Sequence, residues 1–117
     1  MLTGFDPIIS RYPRVMILGS MPSVVSLEKQ EYYGYAHNRF WKIMSDIFNM
    51  PISTYEEKKQ IILSHHLLLW DVIGECEREG SLDSKIRNEK VNPIAELLET
   101  YPSIQLVICN GRKSYDL

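Results

Sequence analysis

Cysteine is scarce in this chain: there are two in 117 residues, Cys76 and Cys109, with no CxxC spacing and no histidine placed close to either. Two thiols cannot hold an iron–sulfur cluster, which takes four such ligands, and the spacing suits no zinc site. They read as reduced, buried or half-buried side chains, and neither a metal nor a cofactor is expected. Long apolar runs are missing too. Nothing approaches the roughly 18–20 residues that a membrane span needs, and no cleavable signal pattern opens the chain, so a cytoplasmic protein with no membrane partner is expected. An excess of one charge is also lacking: 13 Lys and Arg stand against 15 Asp and Glu. A net charge of −2 creates no general attraction for nucleic acid. Any such contact must come from a few basic side chains and backbone N–H groups. Repeats, low-complexity segments and linkers are absent, as are GxGxxG and GxxxxGK[ST]. A phosphate-binding turn of a nucleotide-binding domain therefore finds little support.

What remains is ordinary globular composition, 44% hydrophobic and 24% charged. The length suits one domain, 1–117, with a real core. Three short apolar runs read as buried strands: VMILG (15–19), LLLWDV (67–72) and IQLVICN (104–110). Helical patterns lie between them. Phe40, Ile43, Met44, Ile47 and Phe48 form an apolar stripe that leaves Trp41 to one side, on a helix ending near Asn49 before Pro51. Thr54 with Glu57 makes a capping box for a second helix ending at His65 and His66. Asn92–Pro93 reads as an N-cap and first helical residue, with Ile94, Leu97, Leu98 and Tyr101 as the stripe behind it. Strands alternating with helices imply an α/β fold, a three-layer α/β/α sandwich around a short parallel sheet.

In such sheets ligands sit outside the carboxyl ends of the strands. This selects GSMPS (19–23), Trp70–Val72 and CNGRKS (109–114), together with GYAHNRFWKIM (34–44), which crowds polar side chains at the start of a helix. Each has a plainer reading. GSMPS serves equally as a tight turn shaped by its glycine and proline. Asp71 suits the N-cap of a helix over VIGECERE. The two histidines suit a helix C-terminus better than a catalytic or metal site. Asn110–Gly111 is first a turn, with Arg112 and Lys113 in solvent.

Taken together, LGSMPS, YYGYAHNRFW, LLLWDVI, CEREGSLDS and VICNGRKSY resemble the uracil-DNA glycosylase superfamily from about Ile17 to Tyr115, and most nearly its DNA-deoxyinosine (hypoxanthine-DNA) branch. The resemblance implies hydrolysis of the N-glycosylic bond of a deaminated base, hypoxanthine or uracil, flipped out of DNA. It matches Gly19, Ser20, Met21, Pro22 and Ser23 to the first superfamily motif, with Met21 where relatives place a catalytic asparagine or aspartate. Asn38 then matches the essential asparagine of the deoxyinosine branch and would hold the attacking water. Tyr33 matches the aromatic that stacks on the base, with Gly34 leaving room beside it. Asp71 falls where the base edge is read, usually by asparagine, and Asn110 joins the same rim. His37, Arg39, Arg112 and Lys113 would meet DNA. The second, Ser/His-Pro-containing motif is not found before Leu117, so the fold is expected to lack its last strand and helix. A binding remnant without catalysis is the alternative.

Overall fold

The computed structural model describes residues 1–111. Valine, isoleucine and leucine dominate β3 (Val15–Gly19) and β4 (Leu67–Asp71), and successive residues along both are buried. A strand buried at consecutive positions is covered on both faces, the condition of a central parallel strand. The two pair in parallel, Val15 opposite Leu67 through Gly19 opposite Asp71. On the other side of β3 lies parallel β7 (Leu106–Cys109), and antiparallel β2 (Ile8–Ile9) borders β4, giving the order β2-β4-β3-β7. Among the described residues β7 is therefore an edge. Its Leu106, Val107 and Ile108 are exposed.

Among the described residues four α-helices accompany this sheet: α1 (Val24–Lys29), α2 (Phe40–Phe48), α3 (Tyr55–Ser64) and α4 (Ile94–Thr100). The main core joins Met16, Ile17 and Leu18 of β3 and Leu67–Trp70 of β4 to Trp41 and Met44 of α2 and Ile61 and Ile62 of α3. The α4 stripe of Ile94, Leu97, Leu98 and Tyr101 packs on it as its spacing predicts. The Thr54 capping box is complete: the Thr54 hydroxyl accepts the Glu57 N–H at 3.1 Å, and Glu57 Oε1 accepts the Thr54 N–H at 3.0 Å. Cys76 is buried and Cys109 half-buried, both free.

Several expectations need correction. VIGECERE is not a helix capped by Asp71. It contains strand β5 (Ile73–Glu77), which joins β1 (Leu2–Thr3) and β6 (Arg87–Val91) in a separate antiparallel sheet, β1-β5-β6. Register shifts along β5 interrupt the period of two. Ile73 and Cys76, three apart as on a helix, thereby share a second core with Met21 and Ile86. The stripe on α2 is also rotated from its expected place. Trp41 is buried and donates its indole N–H to the Tyr32 carbonyl at 2.7 Å, while Ile43 and Ile47 are exposed. Asn92 does not cap α4; its amide donates to the Asp71 carbonyl at 2.8 Å, and the helix begins at Ile94.

Candidate functional site

The chain leaves β3 through GSMPS and turns at once into α1. Ser23 is the N-cap, its hydroxyl accepting the Ser26 N–H at 3.1 Å. Beside this turn, at the carboxyl ends of β3 and β4, opens a cleft of about 250 Å³, just below the usual range for small-ligand sites. All five residues of the turn line it, with Tyr33, Asn38, Asp71 and Asn110. The structure thus brings together four segments expected to share one rim. Tyr32, Ser26, Ser81 and Asp83 also line it.

Gly19 forms the floor. A Cβ there would lie 2.5 Å from Asp71 Oδ1 and 2.8 Å from the Tyr33 hydroxyl oxygen, so only glycine permits both groups to approach. Asp71 is 4% exposed, and its Oδ2 is buried without a hydrogen-bond partner among the described residues. Burial, and secondarily the negative charge of Asp83, push its carboxyl up to about 7, so it holds its proton far more tightly than a free carboxyl does. Tyr33 is half-buried, its ring stacked on Phe40 at 4.1 Å between centroids, and its hydroxyl accepts from the Asn110 amide at 3.0 Å. Burial, then the charge of Asp71, raise the Tyr33 phenol, which stays neutral.

Asn38 is exposed at the lip. Its side-chain oxygen accepts the Phe40 N–H at 2.9 Å, one of the donors that the first turn of α2 leaves unpaired. The polar crowd at this helix start therefore has a local structural purpose. A carbonyl oxygen has two lone pairs, so one remains for a water.

Gly34 departs from expectation. It lies against α1 rather than along the cleft, its N–H donating to Ser26 Oγ at 2.8 Å and its α-carbon facing Ser26 and Glu31. His37 and Arg39 are exposed outside the cleft lining, and His37 meets the Tyr35 ring edge to face. His65 stacks on Phe48, and His66 Nδ1 lies 2.9 Å from the Arg11 carbonyl, in keeping with structural roles. Arg112 and Lys113 lie outside the described residues. No group of three or more potential metal ligands occurs among the described residues, and no helix there is long and apolar enough to cross a membrane.

Asp83 and Ser81 lie within CEREGSLDS, one of the segments that carry the resemblance, but neither is among the residues expected to line the site. Both come from the connection between β5 and β6, and Asp83 accepts the Ser20 hydroxyl at 2.8 Å across 63 residues of chain. Their residue types and spacing do not assign them to the cleft; the second sheet brings them in.

The model of the uracil DNA glycosylase superfamily matches residues 7–117. A hypoxanthine DNA glycosylase of Methanosarcina barkeri is 35% identical over 113 residues, which make up 95% of this chain and 72% of that protein. One from Methanosarcina acetivorans is 38% identical over the same shares. A solution NMR structure from Methanosarcina acetivorans, provisionally named a uracil DNA glycosylase, superposes with a TM-score of 0.86 at 36% identity. It is matched over 97% of this chain and 72% of its own length. With a family match across nearly its whole length and relatives this similar, the chain belongs to the uracil DNA glycosylase superfamily.

Proposed function

We propose that this protein hydrolyses the N-glycosylic bond of a deaminated base, hypoxanthine foremost, flipped out of DNA into the cleft. The observation that carries the reading is Asp71, a buried carboxyl whose Oδ2 has no partner among the described residues. Leaving a buried polar atom unpaired costs about 1–3 kcal/mol, a cost offset when a ligand completes it. Hypoxanthine presents an N–H beside a keto oxygen. A protonated Asp71 donates to the oxygen and accepts from the N–H, a two-point match. Uracil and xanthine offer the same pairing.

Bond breaking leaves negative charge on the departing base and positive charge on the sugar. A neutral Asp71 stabilises the base through its O–H, whereas a carboxylate would oppose the accumulating charge. Asn38 holds the water with the free lone pair of its side-chain oxygen. Tyr33, braced by Phe40, offers an aromatic surface, and base–aromatic stacking contributes about 1–3 kcal/mol. His37 and Arg39 at the lip meet backbone phosphates, since none of the cleft-lining residues is basic. No cofactor enters this reaction.

A second reading, a protein that holds the flipped base and releases it unchanged, draws on Met21. Its thioether, buried in the second core, cannot polarise water where the superfamily motif carries a polar side chain. Oligonucleotides carrying one inosine, one uracil or neither separate the two readings under single-turnover conditions. Cleavage confined to the inosine and uracil strands is expected. Binding of inosine DNA with no abasic product would leave only the second reading.

A further inference from the structure

The connection between β5 and β6 is tied to the GSMPS turn and the start of α1 by three hydrogen bonds. The Arg78 guanidinium donates to the Pro22 carbonyl at 2.5 Å, Ser81 Oγ accepts the Val24 N–H at 2.9 Å, and Ser20 Oγ donates to Asp83 Oδ1 at 2.8 Å. Asp83 opens a short 3-10 turn, Asp83–Lys85, followed by Ile86, 4% exposed in the second core. The carboxylate is thus held on a fixed backbone. It has no ion-pair partner among the described residues, and no basic side chain lines the cleft beside it.

This arrangement is costly for a protein that binds a polyanion. A fixed negative charge inside the cleft repels the phosphates flanking a flipped nucleotide. It becomes favourable when positive charge develops within the cleft itself. Breakage of the C1′–N bond supplies such a charge on the deoxyribose, and an interaction stronger in the transition state than in the ground state accelerates the reaction. The turn after β3 offers no carboxylate of its own, because Met21 stands there.

We propose that Asp83 is a catalytic carboxylate that stabilises the oxocarbenium-like sugar, supplied from the second sheet. The inference rests on the glycosylase reading above. The bond electrons leave with the base, and the water oxygen bonds to C1′. The water's proton passes to solvent while the base takes one up. Asp83 forms no covalent bond, and Asp71 faces the base rather than the sugar.

The test uses the 117-residue protein and two oligonucleotides that differ at one abasic position, one with a cationic pyrrolidine and one with a neutral tetrahydrofuran. The parental protein is expected to bind the pyrrolidine strand at least about tenfold more tightly. Asp83→Asn keeps an oxygen to accept from Ser20 but loses the charge. It should abolish that preference, bind the tetrahydrofuran strand as well or better, and lower single-turnover cleavage of inosine DNA by about a hundredfold. Asp71→Asn should keep the preference. Asp83→Ser serves the same comparison should Asp83→Asn melt below the assay temperature. A preference that survives in both Asp83 variants, or is absent from the parental protein, overturns the assignment. Parental-like inosine cleavage by Asp83→Asn overturns it while leaving the glycosylase reading intact. A parental protein that cleaves nothing counts against the glycosylase reading, and the analogue pair still reports on Asp83.

Discussion

Asn38 joins the helix start to the cleft, because its side-chain oxygen accepts the Phe40 N–H and the residue also lines the cleft. Its removal should therefore register twice. Asn38→Ala is expected to lower single-turnover cleavage about a hundredfold or more. Loss of the capping interaction should cost about 1 kcal/mol in a denaturant titration. Near-parental cleavage would return attention to Asp71. Tyr33 is bound to Phe40 on one side and Asn110 on the other, so its ring is already oriented before any base arrives. Tyr33→Ala should weaken binding to an inosine site about tenfold or more, measured by fluorescence anisotropy; unchanged affinity would remove it from the site. Asp71 makes a prediction about pH. Its carboxyl sits at about 7 in the folded protein against 3.8 unfolded, so the fold binds this proton more tightly than the unfolded chain does. Its contribution to stability therefore declines as pH rises from about 4 to about 7 and is level above that. Asp71→Asn, permanently neutral, should be more stable than the parental protein at pH 8, with the gap closing towards pH 4. At about 1.4 kcal/mol per pH unit of displacement the ceiling is about 4 kcal/mol. Urea midpoints for both proteins at pH 5 and pH 8 measure it, and a gap independent of pH would show that Asp71 is not the buried acid described.

The helices divide by how local their determinants are. α3 starts where Thr54 and Glu57 satisfy each other's backbone donors, distant in sequence from every cleft residue and away from the cleft lining. Thr54→Ala should cost about 1 kcal/mol of stability while leaving inosine cleavage unchanged; a loss of cleavage without a loss of stability would contradict that separation. α2 has clear boundaries in its sequence, yet the face it buries is chosen by what lies beneath. The Trp41 indole finds the Tyr32 carbonyl, and the two isoleucines turn outward. β5 shows the converse. Its spacing of buried residues imitates a helix because register shifts break the strand period, and pairing with β1 and β6 is what makes it a strand.

Taken as one body, the molecule has a weak side. β7 pairs with β3 on one edge, and its three apolar residues are exposed, as are Ile43 and Ile47 of α2, among the described elements. Apolar strand edges with free N–H and C=O groups invite pairing with other chains. We expect the protein to self-associate through this edge. Val107→Lys tests the edge by placing a charge on it. Sedimentation should show the variant shifted towards monomer; a monodisperse parental monomer would sink this account.

Local order was legible in the amino acids themselves. The apolar runs of β3 and β4, the extents of α2 and α3, and the Thr54 capping box depend on neighbours within one turn or one strand, and the sequence alone determines them. The segments of the cleft were legible as well, because an α/β topology gathers the loops after its parallel strands at one end of the sheet. Tertiary structure alone decided the rest. Trp41 rather than Ile43 is buried, and Gly34 serves contact with Ser26 rather than the cleft. Asp83 reaches Ser20 only because a second sheet folds beside the first. The proton on Asp71 is also a tertiary property, since its affinity comes from lost water and from the Asp83 carboxylate that the second sheet brings close. Such energies arise between residues that meet only after the chain has closed on itself, and no pattern along the chain encodes them.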